Sequence, residues 1–235
     1  MADFSTFDTR GYRTVSPRDG YREWAATYEE SVEDAMDIDL LDRLEAVPWA
    51  IAGRAADLAC GTGRTGAWLT GHGIAEIDGV DLTPAMLDIA RARGVYRNLI
   101  EGDIGSTGLP TADYGVVTAC LVDEHLPDLR PLYSEAWRLA RPGATFVVVG
   151  FHPHFVMAAG MPTHFHDKAG ETIAIDTHVH LLGDQIATGL TIGWTLIEMR
   201  ERTIDDAWLA VKPKWERFRG HPVTFALAWR KDRSE

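Results

Sequence analysis

Apolar residues recur along this chain in two different rhythms. Between Tyr21 and Leu44 they fall every fourth position, at Trp24, Tyr28, Val32, Met36, Leu40 and Leu44, a spacing that predicts one amphipathic helix. After Pro48, short apolar runs alternate with helical patterns. "RAADLAC" (54–60), "AEIDGVDL" (75–82), "YRNLIEGDI" (96–104), "YGVVTACLV" (114–122) and "ATFVVVGF" (144–151) read as buried strands. Between them "RTGAWLTGH", "TPAMLDIARARG" and "LRPLYSEAWRLARPG" read as helices, the second with Thr83 as N-cap and Pro84 at its first position, the third ending at Pro142-Gly143. This alternation predicts βαβ units, hence an α/β fold whose doubly wound, mostly parallel sheet carries helices on both faces.

The last third breaks the rhythm. Residues 152–179 are rich in His, Pro, Gly and Met and show no period. A short helix ("HLLGDQIATGL"), a strand ("WTLIEMRE"), a connector with Trp and Lys and a strand ("PVTFALAWRK") follow, which brings the strand count to seven. No helix of crossover length separates the last two strands, so the final one is expected to run antiparallel. Residues 1–20, polar and containing glycine, predict a mobile arm.

Charge narrows the partners. With 35 acidic against 23 basic residues the net charge is −12, and no basic stripe suits a nucleic-acid backbone. No run of about 18 apolar residues suggests a membrane span, and "MADFSTFDTRGYRT" lacks a signal-peptide core, so a cytoplasmic protein is expected. Cys60 and Cys120 both lie in apolar runs and are expected to be reduced core residues.

The candidate chemistry gathers at the carboxyl ends of the predicted strands, where open α/β sheets bind ligands. "DLACGTGRTG" (57–66) spells the dinucleotide pattern G-x-G-x-x-G with Gly61, Gly63 and Gly66. Yet Asp57 precedes the turn, Asp81 ends the second strand and Asp103 follows the third. Three carboxylates on successive strand ends would repel a pyrophosphate and welcome a cationic nucleoside. In that setting "DLACGTGRTG", "GVDLTPAMLDIAR", "EGDI" and "RLARPGATFVVV" together resemble, in order and spacing, the motifs of the class I S-adenosylmethionine (SAM)-dependent methyltransferases of small molecules, over about Tyr21 to Lys231.

The resemblance implies a Rossmann-like fold, SAM as cofactor and S-adenosylhomocysteine as product. It implies that the turn of Ala59, Gly61 and Gly63 lies against the methionyl part and that Asp57 orients the ammonium through the turn or a water. Asp81 would take the ribose hydroxyls, Leu82 and Ile104 would enclose the adenine with Met86 nearby, and Asp103 would accept from its amino group. Carbonyls around Cys120 and Leu121 would face the methionyl amine. Gly66 is not required by the family and is expected at a close helix–sheet contact. The chain would then divide into an N-terminal arm and lid helices (1–47), the SAM-binding core (48–151), a histidine-rich substrate-side insertion (152–193) and closing strands (194–235), in a single domain.

For the chemistry, His125 and His152, each just past a strand end, are the expected catalytic residues, since imidazole titrates near neutrality. Tyr21, Trp24, Tyr28, Glu124, His164 and His178 are expected around a small-molecule acceptor, methylated at oxygen or nitrogen. Six of nine histidines fall within residues 152–180. Alternate strand positions face opposite ways and zinc-type cysteine spacing is absent, so no metal site is assigned. Two alternatives stay open: an NAD(P)-dependent oxidoreductase using the literal glycine pattern, and a non-catalytic SAM- or metal-binding protein.

Overall fold

A computed structural model describes residues 4–32 and 36–232. Its centre is a seven-stranded sheet built from β2 (Arg54–Leu58), β3 (Glu76–Asp81), β4 (Asn98–Glu101), β5 (Tyr114–Cys120), β6 (Ala140–Phe151), β9 (Thr195–Thr203) and β10 (Pro222–Arg230), in the order β4-β3-β2-β5-β6-β10-β9. The first five strands of this order run parallel, and the final strand, β10, is antiparallel to both β6 and β9, as expected. The chain order reverses between β2 and β5, so a crevice opens at their carboxyl ends.

Side-chain alternation explains the two layers. Ala56, Leu58, Val117, Ala119, Phe146, Val148, Leu227 and Trp229 face one side, against α6 (Arg130–Leu139) and α8 (Leu182–Ile192). Ala55, Val116, Val147, Val149, Ala226 and Ala228 face the other, against α3 (Met36–Leu41) and α4 (Arg64–Gly71). Burial on both faces is why these strands read as near-continuous apolar runs. Helix α5 (Pro84–Arg93) starts after Thr83 with Pro84 and ends at Gly94, φ +69°. Helix α6 stops earlier than its sequence suggests: Ala140 is already extended, and "RPG" belongs to β6.

The N-terminal part departs from the expected single helix and mobile arm. The single helix expected from Tyr21 to Leu44 is broken into α1 (Pro17–Trp24), a 3-10 turn, α2 (Tyr28–Ser31) and α3, while its positions 33–35 lie outside the described residues. Its apolar stripe serves different cores: Trp24, Tyr21, Tyr28 and Val32 pack with Phe165, Ile173 and Ile175, whereas Leu40 and Leu44 pack under the main sheet. The described part of the expected arm is ordered. Strand β1 (Arg13–Val15) pairs parallel to β8 (Thr172–Ile175), which pairs antiparallel to β7 (His164–His166). The arm and the histidine-rich segment thus meet in a second, three-stranded sheet, preceded in that segment by α7 (Pro153–Ala159). After β9 the chain passes through α9 (Asp206–Val211) and a 3-10 turn over Pro213–Phe218. Among the described residues no helix is long and apolar enough to cross a membrane.

Candidate active site

The crevice holds a cavity of about 300 Å³ lined by Ala59, Gly61, Thr62, Arg64, Thr65, Asp81, Leu82, Met86, Asp103, Ile104, Cys120, Leu121, Tyr21, Tyr28 and His125, among others. Two residues at strand ends take left-handed backbone conformations without being glycine, Ala59 (φ +56°) and Leu121 (φ +54°). Strain of this kind persists where the surrounding structure holds it, here where the chain leaves β2 and β5 beside the cavity.

Asp81 organises the floor. Its Oδ2 accepts from the Gly61 N–H at 2.8 Å and its Oδ1 from the Thr83 N–H at 2.8 Å, fixing the carboxylate across the glycine turn. Burial nonetheless raises its pKa, against these backbone donors. The Thr83 side chain also bonds the carboxylate, and a carboxylate's roughly four acceptor sites leave capacity for a ligand. Gly61 (φ +51°) has open space where a Cβ would be. Leu82 and Ile104 lie on the same cavity with Met86 and Asp103, and the Asp103 carboxylate is steadied by the Gly105 N–H at 2.8 Å.

Two expected cofactor contacts are placed otherwise. Asp57 is fully buried behind the cavity, its Oδ2 accepting from Tyr96 Oη at 2.7 Å and its Oδ1 from Thr118 Oγ1 at 2.9 Å. It braces the sheet from within. Gly63 (φ +86°) begins α4, and a Cβ there would stand 2.9 Å from Tyr96 Cε2. A Cβ on Gly66 would run into Tyr96 Cζ and Oη, and one on Gly79 would stand 2.9 Å from Tyr96 Cδ1. Much of the glycine pattern therefore houses one tyrosine that holds Asp57. Of its three glycines, Gly61 is the one on the cavity.

His125 is buried. A carbonyl only accepts, so Nδ1–H donates to Asp176 O (2.7 Å), and the Nε2 lone pair accepts from Tyr21 Oη at 2.9 Å. Burial pushes its pKa down to about 4, against the Asp176 contact. Tyr21 is held well above the ordinary phenol range by burial and by the neighbouring Tyr28, Glu124 and Asp81. Glu124 Oε1 accepts from Thr163 Oγ1 at 2.6 Å and lies 3.5 Å from His125 Nε2.

His152 is not part of this group. Its Nδ1 accepts from the His154 N–H (3.1 Å), capping α7, and its Nε2 pairs with Glu201 Oε1 (2.8 Å), so both ring nitrogens are used away from the crevice. His178 is also set apart: its backbone N–H donates to Glu124 O at 2.6 Å, and its side chain lines neither this cavity nor the one that adjoins it at Tyr21.

A second cavity, of about 650 Å³, shares Tyr21, Tyr28 and Leu121 with the first and adds Trp24, Glu124, Phe151, Phe155, Met161, His164, Phe165, Trp215 and Phe218. Trp24 stacks on Phe165 (5.7 Å, 14°) at its wall. Here Tyr21, Trp24, Tyr28, Glu124 and His164 come together on one cavity. Several functional positions escaped sequence reasoning. Arg64 and Asp37 form a 2.6 Å ion pair on the first cavity, and Tyr96 and Thr118 carry no local pattern. Among the described residues no group of three His, Cys, Asp or Glu is placed to hold a metal ion.

The buried carboxyls set the pH response. Burial pushes Asp57 and Glu124 each up to about 7, and Asp123 upward as well, with Glu124 beside it adding to the rise. The folded state then binds more protons than the unfolded chain from about pH 4 to 7, so stability falls as pH rises through that range. His125 opposes this only below its ordinary value near 6.5. We expect a lower melting temperature at pH 8 than at pH 6.5, checked by calorimetric scans; a flat profile would contradict the buried carboxyls.

Comparison with known proteins gives this geometry its context. Residues 56–148 match the family described as "Methyltransferase domain". Among curated relatives, the chain is 33% identical over 91 residues to malonyl-[acyl-carrier protein] O-methyltransferase of Serratia marcescens, covering 39% of this chain and 35% of that one. It is 33% identical over 105 residues to demethylmenaquinone methyltransferase of Thermus thermophilus, covering 43% and 48% respectively. The chain thus matches less than half the length of these relatives. A SAM-dependent methyltransferase from Mesorhizobium loti has a similar fold, with a TM-score of 0.65 at 23% identity over 84% of this chain and 98% of that one.

Proposed function

We propose that this chain transfers a methyl group from SAM to an oxygen or nitrogen atom of a small metabolite. The observation that carries this reading is the junction of the two cavities, where Tyr21, Tyr28 and Leu121 border both. The lining of the first cavity fits the cofactor: a fixed carboxylate at Asp81, apolar walls at Leu82, Met86 and Ile104, a second carboxylate at Asp103 and open space at Gly61. These residues would hold it, and when bound it supplies a methyl on a sulfonium, already activated for in-line displacement.

The protein's contribution is alignment, a dry site and a route for one proton. Tyr21 Oη faces the junction while donating to His125 Nε2. An acceptor O–H or N–H that donates to Tyr21 Oη can pass its proton along to Nε2. A base whose pKa is about 4 suffices because an oxygen or nitrogen gaining a methyl becomes strongly acidic. Glu124, 3.5 Å away, stabilises the imidazolium that forms.

Incubation with methyl-labelled SAM and a small-molecule extract, read by mass spectrometry, should yield a labelled product. Cofactor binding without any labelled small molecule would overturn the reading. His125→Ala should slow turnover by about a hundredfold or more while leaving SAM affinity nearly intact. Unchanged turnover would leave His125 a packing residue.

A further inference from the structure

The second cavity carries a charge pattern opposite to that of the chain. The protein is strongly acidic, at −12 overall, yet the exposed Arg10, Lys214 and Arg217 line this cavity, and among the described residues Glu124 is the one carboxylate on its wall. Among the described residues no ion pair reaches Arg10, Lys214 or Arg217. Their sequence neighbours behave differently: Arg219 pairs with Glu216 and Asp206, and Arg13 with Glu171, all away from this cavity. In a chain with so many carboxylates, exposed cations ordinarily find partners, so unpaired ones gathered on one cavity mark a place for an anion.

His164 reports the same field. Its Nδ1–H donates to Pro162 O (2.9 Å), and its pKa is lowered by burial first, against the Pro162 contact, then by His166, Lys214 and Arg10. Glu124 does little to offset them, since it is turned inward to Thr163 Oγ1. The cavity beneath the cations is apolar, walled by Phe151, Phe155, Phe165 and Trp215. The cations themselves do not border the first cavity, which meets the second at Tyr21, Tyr28 and Leu121.

We propose that the second cavity selects an acceptor with a ring-sized apolar body and an anionic group, a carboxylate or a phosphate, bound by Arg10, Lys214 and Arg217. This rests on the methyltransferase reading above. Because the cations do not border the cofactor cavity, the methylated atom is not the anionic group, and the product keeps its charge.

The test uses the full chain saturated with S-adenosylhomocysteine and three calorimetric probes: 3-(4-hydroxyphenyl)propionate, its neutral amide, and the corresponding phosphonate. At least one anion should bind about tenfold or more tighter than the amide. That gap should close in Arg10→Gln/Lys214→Gln/Arg217→Gln and shrink at high salt. Bound anion should also raise the His164 titration midpoint followed by NMR. Which anion binds tighter tells carboxylate from phosphate. Equal binding of anion and amide, a gap that survives the triple substitution, or binding of no probe overturns the inference. Failure of S-adenosylhomocysteine itself to bind would instead overturn the methyltransferase reading.

Discussion

Asp81→Ala is expected to abolish measurable SAM binding. The carboxylate holds the site together from two directions, accepting from Gly61 N–H on the β2 turn and from Thr83 N–H at the start of α5. Without it two backbone donors on the cavity lose their acceptor, and the turn loses its tie to β3. The ligand also loses the acceptor that the resemblance assigns to its ribose hydroxyls. Two hydrogen bonds to a charged group, at about 1.5–3 kcal/mol each, amount to about two to four decades in affinity. Asp81→Asn separates the roles. Its amide oxygen can serve one of the two N–H groups while its NH₂ opposes the other, so an intermediate loss is expected. Calorimetric titration with SAM, alongside a melting curve showing a folded protein, decides it. Affinity for Asp81→Ala within about threefold of the parent would remove this carboxylate from the cofactor site.

That Asp81 was legible from sequence, and Tyr96 was not, shows where pattern reasoning reaches. Strands buried on both faces advertise themselves as apolar runs, and the doubly wound rule then sends whatever follows them to one crevice. Asp81, Leu82, Asp103, Ile104, Cys120 and Leu121 all arrive on the first cavity by that rule. His152 obeys the same adjacency and still points elsewhere, because Pro153 opens a helix and the imidazole becomes its cap. Adjacency to a strand end places a backbone, not a ring. The small sheet of β1, β8 and β7 was illegible for another reason. Its strands of three and four residues are too short to show a period, and the pairing of β1 with β8 joins segments more than 150 residues apart. Tyr96 sits in the connection between α5 and β4, where nothing local signals its bond to Asp57.

Gly66→Ala should destabilise the fold, and the sign of the effect is what makes it informative. Gly66 lies inside α4 with ordinary helical geometry. At an unobstructed helix position, alanine would be favoured over glycine by about 1 kcal/mol. Here the new Cβ would run into Tyr96 Cζ and Oη, on a ring whose other sides lie close along the backbone of Gly63 and Gly79. Displacing the ring breaks the 2.7 Å bond to Asp57, a carboxylate fully buried in the sheet. Overpacking and the orphaned acceptor together cost about 2–5 kcal/mol, or about 5–15 °C in melting temperature for a chain of this size. The double variant Gly66→Ala/Tyr96→Ala supplies the control. With the ring gone, adding the Gly66 methyl to the Tyr96→Ala protein should be neutral or stabilising, a reversal of sign that additive effects cannot produce. If Gly66→Ala alone leaves the melting temperature unchanged or raises it, Tyr96 does not fill the space that the third glycine of the pattern provides.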